Sequence, residues 1–147
     1  VLNNTANPSY LDLKKLVEND SVYNTPPTFS VYVLYLVTEW MLHCGGIKYF
    51  EEKSISSSEL IYSQLEQYGK HITLPVSEYA RSRSNVVFNF SDPSLEEDFL
   101  KKAEVENILG IKGHRSVGGI RISLYNAVDT EMVNYISEFI SKFFEKK

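Results

Sequence analysis

Apolar and polar positions along the chain fall into blocks with different periods. Residues 1–27 are rich in Asn, Ser, Asp and Pro, show no sustained period and end in Asn24-Thr25-Pro26-Pro27, which predicts a loop-rich leading segment. Residues 29–42 (FSVYVLYLVTEWML) are apolar almost all round a helix, the pattern of a helix buried between two layers. Thr25 as N-cap and Pro26 in the first turn would start it, and Gly45 and Gly46 would end it. A second helix is predicted over residues 47–68, with Ile47, Phe50, Ile61, Leu65 and Tyr68 on one side, Ser54 to Ser58 on a solvated face, and Gly69 closing it.

Beyond Ile72 the period shortens. Val86, Phe88 and Phe90 alternate with Asn85, Val87 and Asn89 as in a half-buried strand. Asp92-Pro93 opens a helix that ends near Asn107-Ile108, with Glu96 and Glu97 near its positive end. Residues 108–111 are a short strand candidate and residues 119–125 a stronger one, in which Ile120, Ile122 and Leu124 alternate with Arg121, Ser123 and Tyr125 behind a Gly118-Gly119 turn. A last helix, capped by Asp129 or Thr130, carries Met132, Val133, Ile136, Phe139, Ile140 and Phe143 on one face. The order predicts an α+β fold: a small, mostly antiparallel sheet covered by helices and preceded by a long helix.

Composition narrows the function. With 147 residues the chain has room for one ordinary domain, and its 43% hydrophobic content, including ten Tyr, eight Phe and one Trp, supplies a core. A formal charge of −4 lacks the basic excess that nucleic-acid backbones require, so nucleic acid is not an expected partner. One cysteine, Cys44, excludes an internal disulfide and a Cys-rich metal site, and His43, His71 and His114 are too scattered to predict any metal. The longest apolar run is shorter than the ~20 residues of a membrane-spanning helix, so no membrane partner is expected. The beginning, VLNNTANPSY, has neither an initiator Met nor a leader pattern, and is expected to come from within a longer polypeptide.

The chemically densest stretch is KGHRSVGGIR, residues 112–121. Its three glycines permit sharp turning and close approach of a ligand, while His114, Arg115 and Arg121 offer donors for phosphate or carboxylate. Strand alternation turns Arg121 away from the face of Ile120 and Ile122. A solvated basic turn with ordinary surface ion pairs would have the same composition. Asn24 and Thr25 lead into a helix start, where free N–H groups suit a phosphate, although an ordinary cap and turn would read the same way. Arg81-Ser82-Arg83-Ser84 reads as a solvated edge before a strand. No nucleophile–base pair forms a recognisable motif, so the residues alone reach an anion site and stop.

At KGHRSVGGIR the chain resembles the phosphoserine aminotransferase family, pyridoxal-phosphate enzymes of fold type I within the class V aminotransferases. NDSVYNTPPTFSVYVLYLVTEW (residues 19–40) is similar to the family's loop and linking helix, RSRSNVVFNF (81–90) to its basic strand, and SLYNAV (123–128) to the segment before its final helix. The likeness runs from Pro8 to the carboxyl end, weakest between Ile47 and Arg81.

It implies that residues 1–45 are the tail of the large cofactor domain and the start of the linking helix, and that residues 46–147 are the small domain. It also implies a cytoplasmic homodimer of longer subunits that transfers an amino group between glutamate and 3-phosphohydroxypyruvate, giving O-phosphoserine and 2-oxoglutarate in serine biosynthesis. The lysine that carries the cofactor lies, in the family, ahead of the segment matching residue 1. Lys14 and Lys15 do not match its motif, so no catalytic residue is expected here and the chain alone should be inactive. By the same resemblance Asn24 and Thr25 reach the cofactor phosphate of the partner subunit, Arg121 holds the substrate α-carboxylate, and His114 and Arg115 grip the substrate phosphate. The competing expectation is a truncated, non-catalytic anion-binding or interaction module.

Overall fold

Two adjacent prolines decide where the first long helix can begin. In the computed structural model, which describes residues 8–145, the chain divides into two compact units, Val1–Gly46 and Ile47–Lys147. The first unit contains a 3-10 turn at Ser9–Leu11 and a short helix, α1 (Leu13–Glu18), started by Asp12, whose side chain accepts from the Lys14 amide at 3.0 Å. The loop-rich expectation for this segment missed α1 because a helix of six residues is too short to show a period.

The long helix α2 spans Thr28–His43. A residue before proline is disfavoured in the helical region, which restrains Thr25 and Pro26 in turn. Pro27, at φ −73° and ψ 70°, instead centres an inverse γ-turn in which the Thr28 amide donates to the Pro26 carbonyl at 2.7 Å. The expected cap is therefore corrected: Pro27 holds the N-cap position, no side chain caps the helix, and the Thr25 hydroxyl is left over. Gly45 and Gly46, at φ 114° and 71°, end the helix as expected.

No residue of α2 is buried, and Phe29 and Leu42 are 78% and 67% exposed. The expectation of burial between two layers is not met in this chain. An all-round apolar surface needs cover on every side, and α1 and a short loop cannot supply it.

In the second unit α3 (Gly46–Glu66) leads to β1 (Ile72–Thr73), β2 (Asn85–Phe90), α4 (Pro93–Val105), β3 (Ile120–Ser123) and α5 (Thr130–Phe144). The three strands form one antiparallel sheet in the order β1-β2-β3, with Val86 opposite Ile122 and Phe88 opposite Ile120. One face of the sheet buries Ile72, Val86, Phe88, Phe90, Ile120 and Ile122 with Ile61 and Leu65 of α3, Phe99 of α4, and Ile140 and Phe143 of α5. Phe99 is the hub of an aromatic cluster: its ring lies 5.0 Å from Phe139 and Phe143, 5.3 Å from Phe90 and 5.8 Å from Phe88.

Both later helices start as expected. The Asp92 carboxylate accepts from the Ser94 amide with Pro93 in the first turn, and the Asp129 carboxylate accepts from the Met132 amide. α4 ends in a Schellman motif, with Asn107 at φ 59°, its amide on the Glu104 carbonyl and the Ile108 amide on the Ala103 carbonyl.

Four expectations are corrected. Residues 108–111 are not a strand, because Asn107 and Gly110 both take positive φ and only Lys112 bridges to Ile120. Ser57 and Ser58 are buried and not solvated, because they lie one and two helical turns before Ile61 and Leu65 on the same stripe. Ile47 is 82% exposed, and Met132 stays outside the face formed by Val133, Ile140 and Phe143.

Phe99→Ala is expected to destabilise the 147-residue chain by about 3–5 kcal/mol, and Phe29→Ala by no more than about 0.5 kcal/mol; urea unfolding of both variants checks the contrast. The bare surface of α2 is expected to make the chain self-associate with rising concentration, measured by sedimentation, and replacing Phe29, Leu34 and Val37 with Ser is expected to abolish it.

Candidate anion-binding site

Backbone pairing builds the site before any side chain contributes. The Arg121 amide donates to the Ile111 carbonyl at 2.8 Å, Lys112 bridges to Ile120, and the Gly113 amide donates to the Gly119 carbonyl at 2.7 Å. These contacts close a hairpin whose tip is residues 114–118. There the amides of Val117 and Gly118 both donate to the His114 carbonyl at 2.8 Å.

Two glycines make this closure possible. A side chain on Gly113 would meet the Gly118 carbonyl oxygen at 2.0 Å. One on Gly119, which sits at φ +71°, would meet Asn89 Oδ1 at 2.1 Å and the Phe88 carbonyl at 2.7 Å. The expected turn at Gly118-Gly119 is therefore present, and Gly113 joins it for a reason of space.

The hairpin brings His114, Arg115 and Arg121 onto one element. His114 and Arg115 are exposed at the tip, and Arg121 lies two residues down β3 from Gly119, about 6–7 Å along the strand. Arg121 pairs with Val87 on the face opposite the core, and that face also carries Asn85, Asn89 and Ser123, all half-buried. The Ser123 hydroxyl donates to Asn85 Oδ1 at 3.1 Å. The Arg121 Nε is buried and has no hydrogen-bond partner among the described residues.

Among the described residues none of Lys112, His114, Arg115 and Arg121 takes part in an ion pair.

Arg81 is a useful contrast, because its Nε is likewise buried without a partner. Its guanidinium, however, pairs with Glu66 and lies 4.8 Å from the centre of the Tyr62 ring. Burial pushes the Tyr62 phenol upward against the opposing pull of Arg81. Arg81 is thus committed inside the fold and is not the solvated edge the sequence suggested, whereas Arg121 has no charge partner among the described residues.

Asn24 and Thr25 belong to the other unit. Both are exposed ahead of α2, and their side chains make no hydrogen bond among the described residues. No group of three or more His, Cys, Asp or Glu side chains there could hold a metal ion, and no helix is long and apolar enough to cross a membrane. Reasoning from sequence missed Asn85, Asn89 and Ser123, although strand alternation already placed them on the face of Arg121.

The family model described as aminotransferase class-V matches residues 3–136, and the chain belongs to that family. Within it, the chain is 40% identical over 136 residues to a phosphoserine aminotransferase of Nitrosomonas europaea, covering 92% of this chain and 37% of that protein. The solved phosphoserine aminotransferase of Bacillus circulans subsp. alkalophilus superposes with a TM-score of 0.87 at 36% identity, over 95% of this chain and 39% of that one. The pyridoxal-phosphate-bound phosphoserine aminotransferase of Trichomonas vaginalis gives 0.82 at 26% identity, over 94% and 39%. The chain thus spans somewhat under two fifths of the length of these relatives.

Gly118→Ala, in open space at φ +78°, is expected to cost about 1–2 kcal/mol of backbone strain. Gly119→Ala adds the collision with Asn89 and Phe88 and is expected to cost roughly 3 kcal/mol or more; thermal unfolding of the two variants separates them.

Proposed function

We propose that this chain is the carboxyl-terminal part of a phosphoserine aminotransferase, with Val1–Gly46 supplying the tail of the cofactor domain and the start of the linking helix, and Ile47–Lys147 the small domain. The reaction is reversible amino transfer between glutamate and 3-phosphohydroxypyruvate, in a cytoplasmic homodimer serving serine biosynthesis. The observation that carries this reading is the buried, unpartnered Arg121 Nε on the polar face of the sheet. A buried guanidinium N–H without an acceptor is costly, and a substrate carboxylate is the planar anion that matches its fork. His114 and Arg115, a short way up the same hairpin, take the substrate phosphate. Two anion sites on one rigid element fix the distance between the two ends of a phosphorylated amino acid, so binding at both ends orients the carbon between them.

Pyridoxal phosphate, when bound, acts as the electron sink for the amino transfer. The residues present fit one end of it. Asn24 offers an amide and Thr25 a hydroxyl, both left without partners among the described residues. They stand before a helix whose Phe29 and Ser30 amides have no backbone acceptor outside α2 among those residues, and such a helix start favours a phosphate. Asn24 and Thr25 would hold the cofactor phosphate of the partner subunit. The lysine that carries the cofactor is not supplied by this chain, which by itself is not expected to transaminate. The remainder of the subunit and its partner would cover α2.

The test separates the two anions in the complete enzyme. Arg121→Ala is expected to weaken the half-reactions with glutamate and with phosphoserine alike, since both carry the α-carboxylate. Arg115→Ala is expected to harm chiefly phosphoserine. Each loss of a charge-assisted hydrogen bond should cost about 1.5–3 kcal/mol, or roughly tenfold to over a hundredfold in kcat/KM. Equal losses for both substrates in Arg115→Ala would show that Arg115 does not bind the phosphate.

A further inference from the structure

The loop that carries His114 also dictates which of its ring nitrogens bears the proton. Ser116 Oγ lies 2.7 Å from His114 Nδ1, and the Ser116 amide donates to the same nitrogen at 3.3 Å. An amide N–H can only donate, so Nδ1 must present its lone pair. A neutral imidazole has a single N–H, which therefore sits on Nε2. With Nδ1 accepting, the Ser116 hydroxyl also donates to it. The amide cannot easily turn away, because the Val117 and Gly118 amides on the His114 carbonyl, and the Gly113 amide on the Gly119 carbonyl, hold the loop on either side. Nε2 lies across the ring from Nδ1 and so faces away from Ser116.

We propose that Ser116 is a positioning residue that holds His114 as an Nε2–H donor for the substrate phosphate, an inference that rests on the assignment of His114 to that phosphate. The site then combines two kinds of donor. Arg115 contributes permanent charge, while His114 contributes one directed hydrogen bond and can do so as a neutral ring. Ser116 touches no ligand in this scheme; it acts through the imidazole, by occupying the nitrogen that must not carry the proton.

Nitrogen NMR of the histidine rings tests the tautomer directly on the 147-residue chain, at about pH 8.5 where an ordinary imidazole is neutral. The chain has three histidines, and His114 is identified by its loss in His114→Asn. His43 is an internal standard of the opposite kind, since its Nδ1 lies 2.7 Å from the Glu39 carbonyl, which can only accept. The expected spectrum shows Nδ1–H at His43 and Nε2–H at His114. Ser116→Pro, which removes the amide donor, should raise the Nδ1–H to Nε2–H ratio of His114 by about fivefold, the factor for losing one hydrogen bond of ordinary net strength. Ser116→Ala keeps the amide and should leave the ratio unchanged, because a hydroxyl can serve either tautomer. A wild-type His114 with Nδ1–H, a Pro variant with an unchanged spectrum, or an Ala variant with a shifted one overturns the proposal.

The second measurement uses the complete cofactor-loaded enzyme with phosphoserine. Ser116→Pro should raise KM by about fivefold with kcat unchanged, whereas Ser116→Ala should leave both unchanged. An unchanged KM alongside a shifted tautomer overturns the positioning role. His114→Asn tests the underlying assignment separately: an unchanged KM for phosphoserine in that variant removes His114 from the phosphate site, whatever Ser116 does to its ring.

Discussion

The register between β2 and β3 is the constraint on which the rest of the second unit depends. Val86 opposite Ile122 and Phe88 opposite Ile120 turn four apolar side chains onto α3, α4 and α5. Because strand side chains alternate, the same pairing turns Asn85, Asn89, Arg121 and Ser123 to the other face. A slip of one residue would drive the Arg121 guanidinium into an aromatic core and lift Ile120 and Ile122 out of it. The core therefore specifies the site: the energy that buries Phe88 and Ile120 is also what holds Arg121 out of the core.

The hairpin extends that precision to its tip by backbone means. Gly113 and Gly119 approach facing backbone more closely than any side chain would allow, and the double acceptance at the His114 carbonyl folds the tip back on itself. Tight closure brings no ionic balance with it. Among the described residues, Arg121 and Arg115 lack the carboxylate that Arg81 finds in Glu66. Two arginines with buried unpartnered Nε atoms thus differ in kind. Arg81 is part of how α3 is held to the segment before β2, and Arg121 has no such carboxylate among the described residues.

The first unit follows a different logic. Its long helix starts where two prolines allow and presents apolar side chains on every side without burying one. Such a surface is stable in water only at a cost, and its composition makes sense as part of a larger assembly, in keeping with a chain that spans under two fifths of its relatives' length.

What the sequence determined by itself was whatever depends on local chemistry and period. The alternation of residues 85–90 and 120–124, the Asp92-Pro93 and Asp129 helix starts, the glycine-built turn and the outward direction of Arg121 all follow from neighbours a few residues away. Tertiary structure decided what depends on partners distant in sequence. It buried Ser57 and Ser58, which share a helical stripe with the core residues Ile61 and Leu65. It drew Arg81 onto Tyr62 and Glu66. It also opposed Asn89 to Gly119 and left Arg121 Nε without an acceptor among the described residues. Period and turn chemistry are properties of a segment, whereas burial, close approach and the absence of a partner exist only between segments, once the whole chain has folded.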